Sequence, residues 1–532
     1  MALQTVLSYL PIGLLVWLMT KRRSVPVARA LPMVAAVTYL IVLIVFERDP
    51  NQVHAAVLDG LLTAWTPISI IAGAILLFRT MEATGAMDTI RVWLNSITPS
   101  PIAQLMIVGW AFPFLIEGAS GFGTPAALAA PILVGLGFPP VQIAIMVLVM
   151  NSVPVSFGAV GTPTWFGFSE LALSQAEILE IGTKTAIVHG VAALVIPIVA
   201  LLFVVRPREI FRNSAYIYLS ILATIVPYVL LATVSPEFPA LVGGAIGLML
   251  SVLFAKLGWG LRETHTPTVP PDDTAAAAPR GKLIKAGFPL WGTIVVLVLT
   301  RIRQLGLQPL LRVREPRLDL NLGSLGTGGV SAALRLSLEG IFGTDQQWAH
   351  ELLYVPSIIP FGVVALATFW LFGSDREVIR RALRQCVEQV SAPTKALLGA
   401  LVFVNLMLTG GTTSGVALIG SSLAAVTGTA WQYVAPLLGA LGTFFSGSST
   451  VSNLTFGAVQ DSIARELGLN RTTVLALQSA GGGMGTMIGI NSIVAVCSVL
   501  ALPASEGYIL KRTVLALSVY LALAAVTALM LP

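Results

Sequence analysis

The sequence predicts an all-α polytopic membrane protein with about 11–13 transmembrane helices and two structural repeats. Three observations predict it. Apolar residues make up 56% of the 532 residues and charged residues only 11%, where a soluble chain would carry about 25% charged. Mean hydropathy is +0.87, and windows of roughly 18 or more apolar residues, each long enough to span a bilayer, recur along the chain. Apolar stretches broken by small polar residues occur in pairs in both halves, which is the pattern that marks a transporter's binding site.

Spans are expected near 4–19, 27–46, 58–78, 184–205, 213–233, 239–257, 286–303, 354–372 and 511–531, with 472–502 and the broken stretches adding the rest. The first segment lacks a charged leading region and a small-residue cleavage site, so it is expected to be retained. Basic clusters at Lys21-Arg22-Arg23, at Arg206, Arg208 and Arg212, and at Arg376, Arg380, Arg381 and Arg384 lie between spans. They place those loops in the cytoplasm. They also account for the net charge of +6 without a nucleic-acid partner. The organisation read from this is one membrane domain over 1–532. It comprises a first repeat half at 1–206, connecting spans at 207–258 and a Pro/Ala-rich cytoplasmic linker at 259–285. A second half at 286–504 and a C-terminal transmembrane helix at 505–532 complete it. Segment 301–350 is polar and carries six arginines. Cys386 and Cys497 lie far apart, so a disulfide framework is not expected.

The repeat reads as an interfacial amphipathic helix, a re-entrant hairpin with a Gly-rich tip, a broken helix and a span. Met87, Ile90 and Leu94 form the first amphipathic stripe; Ile379, Leu383, Cys386 and Val390 form the second. The broken stretches are Pro113–Ala127 and Met150–Pro163 in one copy, Asn405–Leu418 and Phe444–Val459 in the other. Phe157-Gly158-Ala159-Val160 and Phe456-Gly457-Ala458-Val459 are identical. Non-helical backbone in hydrocarbon is tolerated where it lines a polar cavity.

Glycine tips admit backbone N–H groups to a ligand, and half-helix N-termini add partial positive charge. Together they make an anion site. The expected substrate-binding residues are Gly118, Ser120, Gly121 and Gly123 at one tip, and Gly411, Thr412 and Thr413 at the other. Asn151, Ser152, Ser446, Ser448, Ser449 and Asn453 join them from the breaks. A small carboxylate suits this set better than a lipid, a nucleotide or a bulky cation. Ionisable groups inside spans are functional candidates: Glu117, Asp59 and His189 are the candidates for proton coupling. His350-Glu351 opens an HExx pattern, but Tyr354 stands where the second histidine is needed, so no metal site is expected. No phosphate-binding GxxxxGK[ST] loop occurs, and neither a cofactor nor enzymatic chemistry is expected.

The run Ile116-Glu117-Gly118-Ala119-Ser120-Gly121-Phe122-Gly123-Thr124-Pro125 resembles the hallmark of the L-lactate permease family. Phe445-Ser446-Gly447-Ser448 through Asn453 to Phe456-Gly457 is similar to its second hallmark, and Gly481-Gly482 to Asn491 to its third. The resemblance implies a proton-coupled importer of lactate or a related 2-hydroxymonocarboxylate such as glycolate. It also implies a bacterial or archaeal plasma-membrane location and an elevator-like movement. The chain departs from the hallmarks at Ser449, where the family usually has aspartate, at Thr486, where it usually has lysine, and at Ile490-Asn491, where it usually has Pro-Gln. Losing both charges is neutral, which implies that the two positions are neighbours. The expected partners are the carboxylate, the proton and the bilayer, with a homodimer as one form of assembly. A sodium-coupled or exchange carrier for another organic anion stays open, since unwound carbonyls with Ser and Asn oxygens suit sodium as well.

Overall fold

A computed structural model describes residues 2–20, 25–121, 124–262, 280–301, 305–355, 357–502 and 505–531. Most of the expected linker at 259–285 lies outside the described residues. Eight described helices are long and apolar enough to cross a membrane, or nine if the bent pair Pro140–Asn151 and Val155–Trp165 counts as one span. The larger expected number also counted hairpin arms and shorter apolar helices such as Leu3–Leu15 and Ile358–Phe372.

The chain falls into two interleaved units: Met1–Ala86 with Gly287–Gly428, and Met87–Ala286 with Thr429–Pro532. The expected division at 206 and 286 does not follow them. Each unit is built from two stretches of chain, because partners far apart in sequence pack together.

In the first unit the helix Arg376–Leu408 packs against Val27–Ile44 and Pro50–Ala83. Small residues permit the approach: a Cβ on Gly60 would come within 2.8 Å of Val402 backbone. Asp59 is buried on this seam and accepts from Asn405 Nδ2 at 2.9 Å and Thr63 Oγ1 at 3.4 Å. The polar stretch 301–350 contains most of an antiparallel sheet. Its strands are β1 (Arg317–Asn321), β2 (Thr327–Ser331), β3 (Arg335–Glu339) and β4 (Gln347–Glu351), in the order β1-β2-β3-β4. Leu318 pairs with Val330, and Leu338 with Trp348. The arginines are used within this region: Arg317 pairs with Asp319 and Glu339, and Arg312 with Glu351. Leu338 and Ile341 pack on Ala55, with Leu58 and Leu62 beside them. His350 sits on a strand and bonds Thr66 Oγ1 at 2.8 Å, so the HExx pattern is not helical.

In the second unit two helix pairs each enclose a tip. Pro101–Ser120 is followed by Thr124–Gly135, and Trp431–Ser446 by Ser449–Glu466. Each is followed by an interrupted helix. The first runs from Pro140 to Trp165 with a 56° bend. The second runs from Arg471–Gly485 through a 3-10 turn at Thr486–Ile488 to Ile490–Val499. The identical tetrapeptides do not occupy equivalent places. Phe157–Val160 lies in the bend, whereas Phe456–Val459 lies inside the continuous helix Ser449–Glu466. The bend needs positive φ at three successive residues; the other copy has none.

Gly118 and Gly244 let Pro101–Ser120 cross Pro239–Lys256 closely. A Cβ on Gly244 would lie 2.6 Å from Leu115 N, and one on Gly118 would overlap the backbone of Ala240 and Leu241. Gly118 therefore serves packing, as small residues do at membrane helix crossings. Overpacking such a crossing costs about 1–3 kcal/mol. Gly118→Ala is expected to lower the thermal unfolding midpoint of the detergent-solubilised protein. Gly135→Ala, where a Cβ would meet nothing within 4 Å, is expected to leave it unchanged or raise it.

Candidate functional site

Within the second unit a cavity of about 30 Å³ is lined by Glu117, Gly121, Asn151, Gly158, Ser449 and Thr486, among others. Each wall has a local cause. Gly121, at φ +63, ends the helix that carries Glu117. Gly447, at φ +70, ends Trp431–Ser446. Ser448 then caps the next helix, its Oγ accepting from Val451 N–H at 3.3 Å. The first N–H groups of that 18-residue helix, on Ser449 and Thr450, have no intrahelical acceptor. Both residues line the cavity.

The bend supplies the opposite wall. Ala159, Val160 and Gly161 have φ of 44°, 58° and 72°. Such values are strained for alanine and for β-branched valine, on the order of 1–3 kcal/mol each. The carbonyls this releases are satisfied inside the protein. Thr162 Oγ1 donates to Ala159 O at 2.6 Å, Trp165 Nε1 to Val160 O at 3.0 Å, and Thr164 Oγ1 to Ser156 O at 2.6 Å. Asn453 Nδ2 donates to Pro163 O at 2.9 Å, tying the second helix pair to the bend.

Glu117 is 2% exposed. Asn151 Nδ2 donates to its Oε2 at 3.0 Å, and no cation pairs with it among the described residues. Gly158 makes room for the carboxyl: a Cβ there would stand 2.5 Å from Glu117 Oε1. Two residues that line the cavity each carry a buried atom with no partner, Asn151 Oδ1 and Ser449 Oγ. A buried orphan of this kind costs about 1–3 kcal/mol unless a ligand or water completes it. A hydroxyl and helix N–H groups without an intrahelical acceptor together suit a small anion.

Of the residues expected from sequence, Glu117, Gly121, Asn151, Ser448 and Ser449 line this cavity. Ser120 bonds back to Ile116 O at 3.0 Å, Ser152 to Val149 O at 2.7 Å and Ser446 to Gly442 O at 2.7 Å. Gly123 lies outside the described residues. Asp59 and Gly411, Thr412 and Thr413 belong to the other unit. There, Arg48 Nη2 donates to Thr413 O and Oγ1 at 2.8 and 2.6 Å. His189 has protein partners on both ring nitrogens. Ser156 Oγ donates its proton to Ser479 O at 2.8 Å, so it accepts from His189 Nε2 at 2.8 Å. Nδ1 then accepts from Tyr520 Oη, which makes a neutral imidazole that braces the bend. Gly158, Thr450, Thr486 and Ser492 line the cavity without having been expected. The 481–491 run was the signal for Thr486.

The family model described as L-lactate permease matches residues 4–532. A Haemophilus influenzae relative, named provisionally as an L-lactate permease, is 48% identical over 99% of this chain and 98% of its own length. The L-lactate permease of Bacillus subtilis is 25% identical, covering 90% of this chain and 87% of its own. The glycolate permease of Escherichia coli is 25% identical, covering 92% and 88%. Among solved structures, the Neisseria gonorrhoeae efflux pump MtrF aligns with TM-score 0.48 at 13% identity, covering 97% of this chain and 96% of that one.

Ser449 and Thr486, the two positions where hallmark charges are replaced, line the same cavity. A lone charge buried there costs about 3–5 kcal/mol. Ser449→Asp and Thr486→Lys are each expected to reduce folded yield and unfolding temperature in detergent, and the double variant to recover most of the loss. A double variant no better than either single one would contradict the pairing.

Proposed function

This chain belongs to the L-lactate permease family, and from that premise we propose that it imports lactate, or a related small 2-hydroxymonocarboxylate such as glycolate, by proton symport. It is a multi-pass membrane transporter and not an enzyme. The finer reading assigns it to the plasma membrane of a bacterium or archaeon.

One observation carries the substrate class: Ser449, whose Oγ is buried and unpartnered, begins the helix Ser449–Glu466 and lines the same cavity as Glu117 and Asn151. The free N–H groups and the Ser449 hydroxyl hold the carboxylate, where the helix end favours negative charge. Glu117 takes the coupled proton, because it is the ionisable group lining the cavity. The cavity volume, about 30 Å³, holds about two waters, so a three-carbon acid enters only when the tips at Gly121 and Gly447 part. Re-entrant tips that open in alternation, on a unit that shifts in an elevator-like manner, give access from either side.

Proteoliposomes with an acidic exterior and no sodium are expected to accumulate labelled L-lactate. Glu117→Gln is expected to abolish gradient-driven accumulation while retaining lactate–lactate exchange. Uptake that requires sodium and ignores the pH gradient would contradict proton symport.

A further inference from the structure

We propose that Asn151 is the positioning residue that makes proton and anion binding obligatory partners, by turning its side-chain amide over when Glu117 gains a proton. This rests on the functional reading above and adds the device that enforces coupling.

An asparagine amide has two faces, one donating and one accepting. In the structure the donor face points at Glu117 Oε2, at 3.0 Å. The acceptor, Oδ1, is left buried and unpartnered, on a residue that lines the cavity. That arrangement suits an ionised Glu117, whose oxygens only accept. It also opposes an anion, because a substrate carboxylate entering the cavity meets an acceptor and a nearby negative charge. A protonated Glu117 has an O–H to give. Rotation about the Asn151 Cβ–Cγ bond lets Oδ1 accept that proton's hydrogen bond. Nδ2 then faces the cavity and donates to the substrate carboxylate. One amide thus reports the state of Glu117 to the anion site. The proton enters with the substrate and leaves with it, and the cavity holds one negative charge in both states: Glu117 when empty, the substrate when loaded.

The surroundings leave this pair to itself. The elements packed on the Glu117 helix segment are 107–111, Thr124–Gly135, Pro140–Asn151, Val155–Phe157, Gly158–Trp165 and Pro239–Lys256. They carry no Asp, Glu, Arg or His, and their one charged residue, Lys256, sits at the far end of its helix. Among the described residues, the titratable groups Tyr228, His189 and Tyr520 stand behind this region. Tyr228 packs edge-on to Phe114 and Phe157 and donates to Val153 O at 3.3 Å. His189 is held by Ser156 and Tyr520. Across the cavity stand Ser448, Ser449, Thr450, Thr486 and Ser492, all uncharged.

The test is L-lactate affinity of the purified full chain, by calorimetry, across a pH series from mildly acidic to alkaline. Wild type is expected to weaken about tenfold per pH unit on the alkaline limb. Glu117→Gln, whose amide donates to Oδ1 at every pH, is expected to bind with the wild-type acid-limit affinity and a flat profile. Asn151→Leu is expected to lose about tenfold in acid-limit affinity and to flatten the alkaline limb. Asn151→Ser, whose hydroxyl donates or accepts, is expected to restore much of the slope. An Asn151→Leu protein with wild-type affinity and slope overturns the proposal and leaves lactate transport standing. A sloped profile in Glu117→Gln overturns it as well. A folded wild type that binds no lactate at any pH overturns the functional reading together with it.

Discussion

One hydrogen bond organises the second unit: Asn151 Nδ2 to the buried carboxyl of Glu117. A carboxyl buried in a membrane protein without a cation is among the most expensive groups such a protein can carry. Much of the local structure makes room for it. Gly158 has no side chain because the carboxyl occupies that space. Gly121 stops the helix one turn later, so the tip and not a further helical turn faces the cavity. Gly118, one residue on, lets the neighbouring helix seat against the same segment and close it from behind. The acid, its amide partner and the glycines around them form one arrangement, and each becomes costly without the others.

The second constraint is backbone accounting. Interrupting a helix in a membrane releases N–H and C=O groups that water does not reach. At the first bend, the released carbonyls are taken by side chains a few residues further on, those of Thr162, Thr164 and Trp165, and by Asn453 from the other helix pair. The Tyr520–His189–Ser156–Ser479 chain anchors the bend from behind. A bend so braced holds Ala159 and Val160 at positive φ, strain that an unsupported loop would relax. The first N–H groups of Ser449–Glu466 lack an intrahelical acceptor, and Ser449 and Thr450 line the cavity.

Much of this was legible in the sequence, for reasons specific to particular residues. Composition alone implied a membrane bundle. Glu117 stood out because it is an acid in an apolar run beside glycines. Asn151, Ser448 and Ser449 stood out because they break apolar helices. The paired exchange of charges at 449 and 486 pointed to a shared location, and both residues line the cavity. Other features were hidden. The match between 157–160 and 456–459 suggested a register that the helices do not follow, since four residues fit a strained bend or a regular helix equally well. Gly411–Thr413 looked like a binding tip because Gly-Thr runs serve ordinary turns as readily as ligands; here Thr413 anchors Arg48. The sheet at 317–351 escaped notice because its strands are five residues long and β2 carries two glycines. Its arginines read as loop charge, when Arg317 is spent on acids of the sheet itself.

The central claim is that a proton on Glu117 accompanies the substrate anion into the cavity. The most direct measurement is proton uptake by the purified protein in weakly buffered, mildly alkaline solution when L-lactate is added. The account predicts one proton taken up for each lactate bound, and none in Glu117→Gln despite retained binding. Lactate binding by the wild type without proton uptake, or undiminished uptake in Glu117→Gln, would contradict it.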